Sequence, residues 1–177
     1  MDIRQLKSIQ RAIIFLTILC GLGIAASFAF LITPSPPLEP ALPKEGKTSY
    51  ALRQAVNRER GAAGLPELKP HVSLAEAALA HSIDQARHDN LDHYGSDKST
   101  WADRCSRAGY PGASLATIGE IVAEWQVTPE QAIADWMQSP GHKAAILDKR
   151  WQHCGGGMAE SSAGRRYWTV DFGFIKD

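Results

Sequence analysis

The hydrophobic pattern is most uneven at the start of the chain, where an uncharged run from Ala12 to Ile32 follows Arg4, Lys7 and Arg11. At ~1.5 Å rise per residue a helix over that run spans roughly 30 Å, the thickness of a bilayer's hydrocarbon core. A cleavable secretory signal has a shorter apolar stretch, about 7 to 15 residues, closed by small residues. Here Phe28, Phe30, Leu31 and Ile32 continue past Ala25-Ala26-Ser27, so the pattern predicts an uncleaved signal anchor over 12–32. Bulky Leu19 before Cys20 argues against a lipid-attachment site there. The basic flank, 1–11, stays cytoplasmic by the positive-inside rule, which places the remainder in the periplasm or at the cell exterior. A linker over 33–47 follows, holding Pro34, Pro36, Pro37, Pro40 and Pro43, and extended polyproline conformation makes such a segment a semi-rigid spacer.

Periodicity over 48–177 predicts helices first and strands late. Leu52, Ala55, Val56 and Ala63 form a helical stripe closed by Gly61 and Gly64, and Leu65-Pro66 opens an extended stretch. Ser73-Leu74-Ala75-Glu76 has the capping-box pattern, and Val72, Ala75, Leu79, Ile83 and Ala86 carry a second helix to about Asn90. Thr128-Pro129-Glu130-Gln131 starts a third, with Ile133, Trp136 and Met137 on its apolar face. Ser139-Pro140-Gly141-His142 starts a fourth through Leu147. Trp168, Val170, Phe172 and Phe174 then alternate with Tyr167, Thr169, Asp171 and Gly173, a strand that pairs with Gly155 to Ala159 through a turn over Glu160 to Arg165. The fold class is α+β.

Charge narrows the partners. Lys plus Arg number 19 against 19 Asp plus Glu, and the part beyond the anchor is slightly acidic, so a broad basic surface for nucleic acid is excluded. The only membrane partner expected is the bilayer crossed by 12–32. No G-x-S-x-G elbow, H-E-x-x-H or phosphate-cradling glycine loop occurs.

The candidate chemistry lies with two of the 6 histidines and one acid. His93 follows the second helix, where a loop can turn it into a cleft. His142 falls in the first turn of a helix, whose N–H dipoles disfavour imidazolium and hold the ring neutral. Glu120 sits inside the apolar stretch Thr117 to Ala123, and a carboxylate there needs a partner. Glu124 could supplement it. Two imidazoles and a carboxylate can hold a divalent cation such as zinc or form a proton-transfer pair, and Glu120 could equally be a structural acid tying two loops together. His81 reads as a core residue satisfied by a carbonyl, and His88 as solvated.

Several segments together resemble one family. Asn57-Arg58-Glu59-Arg60, Gly64-Leu65-Pro66-Glu67-Leu68, Asp92-His93, Gly119-Glu120, Ser139-Pro140-Gly141-His142 and Tyr167-Trp168-Thr169-Val170-Asp171-Phe172-Gly173 occur in order. They are similar to the bacterial branch of the CAP superfamily, the SCP-like group of cysteine-rich secretory, antigen 5 and pathogenesis-related proteins. The resemblance implies a three-layer α-β-α sandwich with an antiparallel sheet over 48–177. It also implies a cleft whose two histidines and acid fall on His93, His142 and Glu120, with recurrent divalent-cation binding by the histidines. Two departures stand out: Ile121 replaces the asparagine usual after Gly-Glu, and Gln138 and Ser139 stand where many members have a second glutamate. The ligand expected of such an envelope domain is a lipid, a peptide or a peptidoglycan fragment. A metal- or His-dependent hydrolase and an interaction platform with an inert cleft are the alternatives.

Cys105 and Cys154 belong to the exported part. In an oxidising compartment a Cys105–Cys154 disulfide is expected, worth ~4 kcal/mol in the chain-entropy model. Its rival is a catalytic thiol at Cys105 with His142 as base. Among the tryptophans, Trp136 and Trp168 read as core, and Trp101 and Trp125 as cleft rim.

Overall fold

The computed structural model describes residues 45–176. The expected anchor over 12–32 and nearly all of the linker over 33–47 lie outside the described residues. Among those described, no helix is long and apolar enough to cross a membrane.

In chain order the elements are α1 (Lys47–Ala62), β1 (Lys69–Pro70), α2 (Val72–His88), α3 (Trp101–Arg107), β2 (Ile118–Glu124), α4 (Pro129–Gln138), α5 (Pro140–Ile146), β3 (His153–Glu160) and β4 (Arg166–Gly173). The sheet order is β1-β3-β4-β2. Strands β2, β3 and β4 pair antiparallel, as expected, but β1 runs parallel to β3, so the sheet is mixed. The parallel rung is short: Lys69 N–H donates to the Gln152 carbonyl at 2.9 Å and His71 N–H to the Cys154 carbonyl at 3.2 Å. Between them Pro70 has no N–H to give, which keeps this strand at the edge.

Alternation along the strands fixes what each face meets. Ile121, Cys154, Val170 and Phe172 point to one side and form the larger core with Leu52, Val56, Ile133, Trp136 and Ile146 of α1, α4 and α5. Glu120, Thr169 and Asp171 point to the other side, under α2 and α3, where the smaller cluster of Leu74, Ala77, Cys105, Tyr110 and Ile118 lies. The result is helices on both sides of one sheet. Helix α2 seats closely because Gly155 and Gly157 have no Cβ: one on Gly155 would strike the Ala75 backbone, and one on Gly157 the Leu79 backbone.

The capping expectations divide. Thr128 and Gln131 form the capping box of α4, with Pro129 in the first turn. The N-cap of helix α2 instead lies two residues before Ser73. Ala75 N–H reaches the His71 carbonyl at 3.1 Å, so His71 is the N-cap, and Ser73 is buried inside the helix. Ser139 does precede α5 but gives no side-chain cap bond, leaving Pro140 to set the start. Helix α3, which the periodicity did not indicate, is announced by a Thr100/Asp103 capping box.

The expected disulfide is absent: Cys105 and Cys154 are both free and buried. Cys154 pairs in register with Phe172 and packs in the larger core, whereas Cys105 lies by Asp171 in the smaller one. Neighbouring residues of β4 point to opposite faces, so the sheet itself separates the two thiols.

Candidate functional site

Strand β2 is an edge strand, and its Gly119-Glu120-Ile121 segment sorts three side chains by face. Gly119 lies against the Trp151 indole, where a Cβ would come within 2.7 Å of the ring. Ile121 is fully buried in the larger core, which explains an apolar side chain beside the acid. Glu120 points the other way, toward α2, α3 and the loop after α2.

There it is the hub of a buried polar cluster, its side chain only 1% exposed. One carboxylate oxygen meets His93 Nδ1 at 2.9 Å. The other accepts from Arg104 Nη2 at 2.5 Å and lies 4.0 Å from His81 Nε2. Arg104 also donates to the His93 carbonyl at 3.0 Å and the Ser99 carbonyl at 2.9 Å, tying the loop to α3. His81 is buried, and its Nε2 meets the Asp92 carbonyl at 2.8 Å, so the carbonyl partner expected for it is the residue next to His93. His88 is solvated, as expected, against the Asp84 carbonyl.

Electrostatics follow from these contacts. The hydrogen bond to Glu120 raises the His93 pKa above the ordinary imidazole value, outweighing burial and the Arg104 charge. His142, half-buried in the first turn of α5, is shifted down, chiefly by burial and then by nearby His93. A neutral His142 was expected from the helix dipole; burial is the larger cause. Asp171 sits directly across from Glu120 in the β2–β4 register, fully buried, with neither oxygen hydrogen-bonded. Burial, and then Glu120, push its pKa well above the ordinary carboxylate value.

Cys105 is no nucleophile: burial and Asp171 drive its thiol far up. Glu124 does not join the cleft; at the other end of β2 it lies 3.4 Å from Arg165. Trp101 lies beside His93, edge-on to its ring at 5.8 Å, with Nε1 on the Ile118 carbonyl at 3.2 Å. Trp136 and Trp168 are core residues. Trp125 stands outside the cleft, its ring over the Arg165 guanidinium.

Sequence reasoning missed Arg104 and Asp171. A signal for Asp171 was available, since the strand's second face carries Thr169 and Asp171, and both prove fully buried. Among the described residues no group of three or more His, Cys, Asp or Glu is placed to hold a metal ion. His142 lies near enough to His93 for the charge of one ring to act on the other.

The sequence model of the CAP family, the cysteine-rich secretory protein family, matches residues 53–172, more than half of the chain. The uncharacterized protein YkwD of Bacillus subtilis (strain 168) is 33% identical over 119 residues, 67% of this chain and 44% of that protein. The uncharacterized membrane protein YlbC of the same organism is 28% identical over 109 residues, 62% of this chain and 29% of that protein. The chain thus spans less than half the length of either relative. Two solved structures share the fold. An extracellular protein containing an SCP domain from Bacillus anthracis str. Ames has a TM-score of 0.65 at 24% identity, covering 80% of this chain and 45% of that one. An outer surface protein from Borrelia burgdorferi has a TM-score of 0.62 at 21% identity, covering 71% of this chain and 90% of that one.

Proposed function

The chain belongs to the cysteine-rich secretory protein (CAP) family, and from that premise we propose that its domain is a binding module held outside the cytoplasmic membrane by the 12–32 segment. Its cleft takes a divalent cation such as zinc on His93 and His142, beside an envelope-derived lipid, peptide or peptidoglycan fragment. Two relatives, one described as a membrane protein and one as extracellular, accord with that location.

One observation carries the reading: a buried Glu120 engages Nδ1 of a His93 ring that is itself 43% exposed. A carboxylate behind an imidazole fixes its tautomer and raises its basicity, leaving Nε2 as the outward donor. His142, kept neutral, supplies a second imidazole, and two borderline nitrogen donors suit a zinc-type ion. The ion would supply Lewis-acid character or simple electrostatic anchoring. The chain's own residues orient: Glu120 holds His93, Arg104 holds Glu120 and the loop, and His81 holds the Asp92 carbonyl.

Calorimetric titration of zinc into the purified full-length chain in detergent tests this. Binding should weaken at least ~10-fold in His93→Ala and in His142→Ala, and ~10- to 100-fold in Glu120→Gln, while exposed His88→Ala leaves it unchanged. Unchanged binding in both cleft variants overturns the metal assignment.

The raised basicity of His93 also favours a second reading, His-dependent hydrolysis of envelope peptide or peptidoglycan, with His93 as general base. Release of soluble fragments from purified sacculi by wild type and not by His93→Ala would select it. With neither zinc binding nor fragment release, the domain is an interaction platform with an inert cleft.

A further inference from the structure

At the end of β2 the backbone breaks a local rule. Trp125 has φ of +86°, in the left-handed region that glycine tolerates and a bulky aromatic residue does not. The chain on both sides is pinned: Trp125 N–H donates to the Arg166 carbonyl at 2.9 Å, Trp168 Nε1 to the Gln126 carbonyl at 2.9 Å, and Arg166 Nη1 to the Val127 carbonyl at 2.6 Å. The register of β2 on β4 therefore imposes the conformation, and stability alone would place glycine there.

The indole does not recover that strain by burial. It is 62% exposed, and the Arg165 guanidinium lies 4.2 Å from its centroid. Arg165 is in turn fixed from three directions, by Glu124 and Asp89 at 3.4 Å each and by the Tyr167 hydroxyl at 3.2 Å, which donates to Asp89 at 2.8 Å. Asp89, whose φ of +50° is the ordinary left-handed close of α2, brings a carboxylate to the cluster, so the strain here is that of Trp125. Strain that the surrounding structure over-determines concentrates where ligands are held.

We propose that the face of Trp125 opposite the stacked Arg165 guanidinium, with Asp89 and Glu124 around that guanidinium, is a stacking platform for the pyranose rings of a polysaccharide. A sugar ring offers an apolar C–H face to lie on an indole and equatorial hydroxyls around its edge. Two carboxylates accept from those hydroxyls, and a guanidinium donates to them, which is the set of groups present. A sugar needs a flat aromatic surface with polar groups beside it, which is what stands at this end of β2. The platform lies five residues along β2 from Glu120, roughly 17 Å at strand rise, and does not depend on the cleft holding a metal.

The test compares full-length wild type, Trp125→Gly and Trp125→Tyr for binding to chitotetraose by calorimetry and to purified peptidoglycan sacculi by sedimentation. Wild type and Trp125→Tyr should bind, with Trp125→Gly roughly tenfold weaker or more. Because glycine suits φ +86°, its Tm should hold or rise by about 2–4 °C. Binding to sacculi without chitotetraose places the platform on features particular to that glycan; binding to both places it on the shared ring chemistry. Equal binding by Trp125→Gly, no saturable binding to either probe, or a Tm loss that accompanies the binding loss would overturn the proposal.

Discussion

On one face of the sheet, Ile121, Val170 and Phe172 meet Leu52, Trp136 and Ile146; on the other, Glu120, Thr169 and Asp171 meet His81, Gln85 and Arg104. Both sides are buried. The first has the make-up of an ordinary core, in which side chains of similar volume can be exchanged at modest cost. The second mixes a small apolar cluster around Leu74 and Cys105 with a buried polar network: Ser82 and Gln85 share the Thr169 hydroxyl at 3.0 and 3.1 Å, and Glu120 is satisfied from two directions. A polar interior tolerates loss of a partner poorly, because the group left behind stays desolvated. The apolar face supplies stability, and the polar face fixes the position of one surface histidine.

The largest effect should come from separating α2 from the polar face. Gly157→Val puts a branched side chain into the Leu79 backbone, and destabilisation of at least ~3 kcal/mol is expected, a large part of a domain's margin. Denaturant unfolding of the full-length chain measures it. A well-folded Gly157→Val protein of normal stability would mean that α2 does not seat on β3 as described.

A smaller effect, of opposite sign, is expected at Asp171. Its folded pKa is raised, so its contribution to stability is most favourable in acid. That contribution declines as pH climbs from about 4, where the unfolded carboxyl ionises, toward the folded value. Asp171→Asn removes the penalty, and at pH 7 should be more stable than wild type by about 1 kcal/mol or more, with the difference vanishing near pH 4. A destabilised Asp171→Asn at pH 7 would show that the cluster needs an ionised acid there.

Much of this architecture was legible in the sequence, and the unread parts share a cause. Periodicity located α1, α2, α4 and α5 because each has one face buried and one face wetter, and the β3–β4 hairpin because large apolar residues alternate along β4 even though both its faces are buried. Strand β2 was passed over because its apolar residues Ile118, Ile121, Val122 and Ala123 do not alternate and nothing in the pattern tells which faces are covered, so Glu120 registered only as an acid in an apolar stretch. The same blindness hid Asp171 and Arg104, which look like surface charges until the face they occupy is known to be covered. His93, Glu120 and His142 were singled out by their places after a helix, in an apolar stretch and in a first helical turn, and then by motif resemblance; the direct His93–Glu120 contact is a fact of tertiary structure. The disulfide expectation failed because compartment and loop length say nothing of which sheet face a cysteine occupies.

The smallest predicted effect lies at the end of the polar face, where His71, Tyr110 and His153 stack edge to face and the Tyr110 hydroxyl meets His153 Nδ1 at 3.0 Å. Burial lowers the pKa of both histidines, helped at His153 by His71 and Lys69. Both are neutral in the fold, so their contribution is complete above about pH 6.5 and is lost as pH falls through that value toward the lower folded ones. Solvent exposure keeps the loss below about 1 kcal/mol. His71→Asn, which does not titrate and is a better N-cap for α2, should flatten the fall in Tm between pH 7 and 5. An unchanged slope would remove the stack from the acid response.

The claim on which the cleft rests is that the buried Glu120 governs the exposed His93, and titration of the His93 ring by NMR in wild type and Glu120→Gln tests it most directly. The wild-type ring should titrate above the ordinary imidazole value of about 6.5, and Glu120→Gln should bring it to that value or below. Superimposable His93 curves in the two proteins would contradict the account.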